Sequence, residues 1–198
     1  MALRQYISLL SVIASLVAGA QTLRVDGDVS HWEANFCAGL NTDGYLFDFG
    51  AAYFANRFIG IKANVGCSGE IGNLAEFLSY DDGLFGYDYD YDPDNAVNLK
   101  FMPSLVLRSP CLFDWKSQDA GFYLFAEPGM IFSTGTAGSH KARHVNWDLR
   151  AGINLQLDRV VLFAGYDVSD FSLYSGTPYD PGNGFLTHSV FIGSSYKF

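Results

Sequence analysis

The sequence predicts an all-β protein: an eight-stranded antiparallel up-and-down transmembrane β-barrel with short turns at one end and longer loops at the other. Three observations lead there. Apolar and polar residues alternate with period two through eight segments, which puts successive side chains on opposite faces of a strand. No apolar run after the first twenty residues is long enough for a membrane helix. The connections between segments alternate between tight and extended, as in barrels that cross a bilayer.

The first twenty residues read as a cleaved leader and not as part of the fold. Arg4 supplies a positive charge, Tyr6 to Val17 is almost unbroken apolar sequence, and Ala18-Gly19-Ala20 is a small-x-small cleavage pattern. A mature chain of 21–198 is expected, as one domain. The whole chain has 12 basic and 21 acidic residues, and loss of Arg4 moves its net charge from −9 to −10. That balance argues against nucleic acid as a partner. With 17 Phe and 12 Tyr against 6 Pro, the composition favours strands.

The clearest alternation runs from Val145 to Leu157. Val145, Trp147, Leu149, Ala151, Ile153, Leu155 and Leu157 form one apolar face, and the intervening residues are polar or glycine. Noisier versions begin at Trp32, Tyr45, Ile59, Val97, Phe122, Val160 and Leu186. Each is near the ~9–11 residues a tilted strand needs to cross a bilayer. Closure into a barrel is expected, because an open edge in lipid leaves backbone groups without partners.

Alternation alone does not say which face points outward. A soluble lipocalin-like barrel is apolar inside; a membrane barrel is apolar outside. Two features favour the membrane version. The polar face carries both signs of charge, Glu33, Asp48, Glu127, Asp148 and Asp167 against Lys62, Lys100, Arg108 and Arg150. These can pair in a narrow lumen, where a lone ion is expensive. The apolar face has aromatic residues near strand ends (Trp32, Tyr45, Tyr53, Trp147, Tyr166 and Tyr196), suited to interfacial girdles. Phe54, Phe125, Phe163 and Phe191 fall on the inward face, so a plugged interior is expected.

The connections expected at the outer end are a short one around Thr42-Asp43-Gly44, a long one from Ser68 to Ala96, and intermediate ones at Ser133–Arg143 and Asp170–Gly184. Ala55-Asn56-Arg57 and Asp158-Arg159 read as tight turns at the other end. Ser109 to Ala120 breaks the pattern by being too long for a turn.

The long connection carries eight acids between Glu70 and Asp94 and no Lys or Arg. Its core, Asp88, Tyr89, Asp90, Tyr91, Asp92, Pro93 and Asp94, spaces carboxylates like a calcium loop. Pro93 then stands where glycine is needed, and Leu99 where the bidentate Glu belongs. A solvated acidic loop with tyrosines able to contact a partner fits better. Cys37, Cys67 and Cys111 match no zinc spacing, and their odd number leaves at least one thiol unpaired. No metal or cofactor is expected.

The strand–turn–strand run Tyr45 to Val65, together with the final segment Val190 to Phe198, makes the chain resemble the small outer-membrane β-barrels of the OmpA/OmpX type, particularly their Bacteroidetes relatives. The resemblance implies a Gram-negative outer membrane, contact with its lipid and lipopolysaccharide, and no particular activity. It also implies that Val190, Ile192, Tyr196 and the terminal Phe198 act as the signal read by the barrel-assembly machinery. The expected role is a non-enzymatic structural or surface-interaction barrel, with an unidentified extracellular partner at the loops. A lipid-A-modifying hydrolase and a small-solute porin are the alternatives. Against the hydrolase, His188 and Ser189 are neighbours in a strand and point to opposite faces. His140, Lys141, Arg143 and His144 form a small basic cluster that reads as ordinary loop charge.

Overall fold

The computed structural model describes residues 31–42, 44–70, 97–115, 120–134, 143–173 and 186–198. Nine strands occur in them: β1 (Trp32–Asn41), β2 (Gly44–Phe54), β3 (Ile59–Gly69), β4 (Val97–Arg108), β5 (Phe113–Trp115), β6 (Ala120–Ser133), β7 (Val145–Leu157), β8 (Val160–Ser169) and β9 (Thr187–Lys197). All but β5 form the wall. Every wall strand pairs antiparallel with its neighbours in sequence, β9 returns to β1, and β4 meets β6 to close the ring. The leader segment and the acidic core from Asp88 to Asp94 lie outside the described residues.

Polarity is inverted relative to a soluble barrel. The outward face of β7 is the apolar set Val145 to Leu157, and its inward face buries Asn146, Asp148, Arg150 and Asn154. The same division holds around the ring. Thirty large apolar or aromatic side chains are exposed among the described residues, while eighteen polar or charged ones are buried. The lipocalin-like alternative needs the opposite assignment, and the face chosen here removes it.

At one end, here called the inner end, the connections are tight. Asn56 caps the β2–β3 turn by accepting from the backbone N–H groups of Phe58 and Ile59 at 2.8 and 2.9 Å. Asp158 takes the left-handed conformation that closes the two-residue β7–β8 turn. The long link after β4 is a hairpin. Beyond Arg108 the chain runs back along β6, with Ser109 and Leu112 donating to Leu124 and Phe122, and β5 then pairing Phe113–Trp115 with Ala120–Phe122. This accounts for a connection too long for a turn. It carries Leu112 and Phe113 as exposed side chains.

Three expectations need correction. Ser68 belongs to β3, paired with Leu46 and fully buried, so the long connection begins after Gly69. Tyr45 is no girdle residue: it is 4% exposed because its ring lies against Phe47 and over Gly69, where no side chain stands in the way. Ser133 ends β6 and is paired with Lys100. All three cysteines are free thiols, and Cys37 is completely buried on the inward face.

Two glycines show how the lumen accommodates its aromatic residues. Gly165 pairs with Phe191, and Gly152 with Phe125. A Cβ on Gly165 would come within 2.7 Å of the Phe191 ring, and one on Gly152 within 2.9 Å of Phe125. The rings of Phe125, Phe163 and Phe191 meet with all three centroid separations at 6.3 Å, a belt possible only because the wall behind them is bare. Gly165→Val is therefore expected to destabilise the barrel by about 1–3 kcal/mol through overpacking. A lowered urea midpoint for the compact band on an unboiled gel measures it.

Candidate functional site: the charged lumen

The inward residues of each strand are delivered to the axis by the period-two pleat, and the register stacks them in three levels. At the inner end, Arg108 of β4 reaches across to Glu33 of β1 in a two-pronged pair, Nη1 to Oε1 at 2.8 Å and Nη2 to Oε2 at 2.7 Å. A planar guanidinium fits a carboxylate in this way, and lysine could not reproduce it. Ser195 also donates to Glu33, and Lys197 lies 3.8 Å from it while donating to Gln156 at 2.6 Å. The Phe54 ring sits 3.9 Å under the Arg108 guanidinium.

In the middle, Lys62 of β3 donates to both oxygens of Glu127 of β6 at 3.2 and 3.0 Å. Arg150 of β7 spans the lumen to Asp48 of β2 at 2.9 Å. Asn64 donates to the other Asp48 oxygen at 2.5 Å. The Arg150 Nε lies 3.5 Å from Asp148 and 3.8 Å from Asp167, and the guanidinium is 5.5 Å from the Phe191 centroid. One cation thus serves three carboxylates on three strands, each buried.

The outer level differs from expectation. Among the described residues Lys100 pairs with no carboxylate; its ammonium lies 3.7 Å over the ring of Phe171. Phe171 and Leu173 follow β8 and fold into the lumen at 1% exposure each, packing with Met102 and Ile131. Thr187 fastens this segment by donating to the Phe171 carbonyl. Neither residue was anticipated, because Asp170 to Gly184 reads as a surface connection. The available signal was parity: Phe171 and Leu173 continue the odd-numbered inward series of β8, Phe163, Gly165, Asp167 and Ser169. Lys197 was likewise absent from the expected charge network, although its alternation pointed inward.

The nine residues expected to form that network, Glu33, Asp48, Lys62, Lys100, Arg108, Glu127, Asp148, Arg150 and Asp167, all face the lumen. Eight of them join through ion pairs: Glu33 with Arg108, Lys62 with Glu127, and Arg150 with Asp48, Asp148 and Asp167. On the outer wall, Val190, Ile192, Tyr196 and Phe198 are exposed together. His188 is also outward, 2.9 Å from the Tyr166 hydroxyl, while Ser189 is buried on the inward face. The two cannot act as a base and nucleophile. His31 is engaged with the Phe54 carbonyl at 2.8 Å. Arg143 pairs with Asp170 at the outer rim. No cluster of metal-ligating side chains occurs among the described residues.

The fold and its lumen define a class: a closed eight-stranded antiparallel barrel, polar within and apolar without. No family model and no curated protein matches the chain. Solved structures share the fold at low sequence identity. The N-terminal β-barrel domain of Pseudomonas aeruginosa OprF aligns with a TM-score of 0.50 at 10% identity, covering 84% of this chain and 96% of that one. Neisserial surface protein A aligns at 0.49 and 13% identity over 84% and 96% of the two chains. The outer membrane enzyme PagL aligns at 0.49 and 10% identity over 84% and 99%.

The Lys62–Glu127 pair separates the cost of breaking an ion pair from the worth of having one. Lys62→Met is expected to destabilise by about 3–5 kcal/mol, because Glu127 is left buried and uncompensated. Lys62→Met combined with Glu127→Met recovers most of that loss. Urea midpoints of the two variants, compared with the parent, decide it.

Proposed function

We propose that the protein spans an outer membrane as a closed, non-conducting post and acts through its outer connections, as a structural or surface-interaction protein without chemistry of its own. The observation that carries this is the inverted polarity. A water-soluble protein rarely exposes an apolar patch beyond a few hundred Å². Here a complete belt of Leu, Ile, Val, Phe and Trp encircles a core of buried ions. Lipid is the solvent that fits such a belt. Trp32, Tyr53 and Tyr196 at the inner end and Trp147 and Tyr166 toward the outer end occupy the girdle positions.

The reading as a closed post rests on the filled axis. Three levels of paired ions and rings occupy it from Glu33 to Phe171, leaving side chains where a porin has water. The surface-interaction reading rests on sequence: the acidic, tyrosine-bearing connection with Asp88, Tyr89, Asp90, Tyr91, Asp92 and Asp94 is the chain's largest concentration of charge. Outer-membrane lipid, including lipopolysaccharide, is the proposed surrounding, and an extracellular partner the proposed ligand of that connection. We assign Val190, Ile192, Tyr196 and Phe198 to recognition by the assembly machinery, since they present one exposed apolar edge on β9.

Purified in detergent, the protein is expected to migrate faster unboiled than boiled. Reconstituted in planar bilayers, it is expected to show no large, stable conductance, and lipid A from cells making it is expected to keep its mass. Identical migration with and without boiling, in a protein needing no detergent, would overturn the membrane reading. A steady conductance would overturn the closed lumen, and a mass change the absence of chemistry.

A further inference from the structure

The guanidinium of Arg150 does not treat its three carboxylates alike. Asp48 takes the one close bond, from Nη1 at 2.9 Å, and a further bond from Asn64. Nη2 faces the Met102 sulfur at 3.5 Å. Asp148 and Asp167 are left to share Nε, at 3.5 and 3.8 Å, and Nε makes no hydrogen bond to either.

The pleat brings these two acids together. Arg150 pairs with Asp167 across β7 and β8, and Asp148 with Ser169, so the two carboxylates are diagonal neighbours on the inward face. Their side chains are within hydrogen-bonding reach of each other. They are 4% and 6% exposed. Among the described residues the Oδ1 of each lacks a hydrogen-bond partner, although Ser169 and Ser189 stand opposite them in the register.

Apolar layers close the site on both sides. Toward the inner end lies the belt of Phe125, Phe163 and Phe191, and toward the outer end Phe171 and Leu173 pack with Met102 and Ile131. The charged groups that face the pair from other strands are mostly engaged. Asp48 of β2 is bound to Arg150, Glu127 of β6 is bound to Lys62 of β3, and Lys100 of β4 lies over the Phe171 ring. Cys37 of β1 is a buried free thiol, and β9 contributes Ser189 and Phe191, which do not titrate in this range. Asp48, Asp148 and Asp167 thus face Arg150 and Lys100, an excess of one negative charge in a layer shielded from solvent.

Two carboxylates in contact at such burial repel, and one proton between them removes the excess charge and supplies the missing donor. We propose that Asp148 and Asp167 form a buried acid pair that holds one proton at neutral pH and makes the barrel sensitive to rising pH at its axis. The native pair then binds its proton more tightly than the same residues do in the unfolded chain. Below the ordinary carboxylate range, about 4, both states hold the proton and the contribution is fully present. As pH rises above that range the unfolded chain releases its proton first, so stability is lost until the native pair has ionised.

Infrared difference spectra of the detergent-folded protein read the proton directly, through the C=O stretch of a carboxylic acid and its shift in D2O. At neutral pH, parent minus Asp148→Asn is expected to show one such band, and so is parent minus Asp167→Asn. Asparagine keeps the shape and replaces the proton by a permanent amide donor, and the remaining lone carboxylate ionises beside Arg150. Urea titrations read the linkage: relative to either variant, the parent's unfolding constant is expected to rise by up to about tenfold per pH unit above the ordinary carboxylate range. Should one variant fail to give the compact gel band, the other carries both readouts. Spectra without a carboxylic acid band, with parent and variants parallel in pH, overturn the proposal, because Arg150 and Lys100 then keep all three acids ionised. A band that survives one of the two substitutions also overturns it, by giving the proton to a single residue. A urea midpoint that tracks sodium concentration at fixed pH, with no band, overturns it in favour of a metal cation between the carboxylates.

Discussion

Arg150 and the carboxylates it holds are the constraint on which the rest of the lumen depends. Eight strands leave an axis about as wide as facing side chains. A charge placed there has little water, so it must meet its opposite or be driven out. Asp48, Asp148 and Asp167 come from β2, β7 and β8, and a single guanidinium answers all three. The tie between Arg150 and Asp48 joins strands on opposite sides of the ring. It resists flattening of the barrel in a way no ladder between neighbours can. The Phe–Gly belt is fitted around the same cation, which lies near Phe191.

How much of this was legible in the sequence varied with the physics involved. The strands and their faces were readable because period two is a local property, and Val145 to Leu157 displays it without a break. The direction of the faces was less so, since alternation is symmetric; mixed charge on one face was the clue. Pairing partners were out of reach. Nothing near Arg150 in the chain points to Asp48, because register and closure decide that contact. Lys100 was placed on the correct face but given the wrong kind of neighbour. Its partner Phe171 belongs to a segment whose serine, aspartate and glycine content reads as loop. The acidic run at Asp88 to Asp94 was conspicuous as composition, and composition alone does not specify a ligand.

The seam between β4 and β6 is the least regular part of the ring. Fewer residue pairs register there than at any other wall interface, and Pro103 of β4 and Pro128 of β6 lie along it. The wall compensates from inside and below. Lys62 of β3 and Glu127 of β6 are joined past β4, so the ion pair spans the seam from the inward face. The β5 hairpin extends β6 at the inner end, so the strand that pairs poorly with β4 gains a partner further down. Both devices bear on the side of the barrel where backbone hydrogen bonds are scarce.

Five carboxylates and five cations face the lumen: Glu33, Asp48, Glu127, Asp148 and Asp167 against Lys62, Lys100, Arg108, Arg150 and Lys197. By formal count these ten residues cancel, so the chain's formal excess of −9 is carried by other residues. Eight of those negative charges are written into the single connection between β3 and β4. Dissolved salt reaches exposed charges and screens buried ones far less. Ionic strength is therefore expected to act on charges outside the lumen, among them the 62%-exposed Arg143 in its pair with Asp170, and far less on the buried pair that ties Arg150 to Asp48.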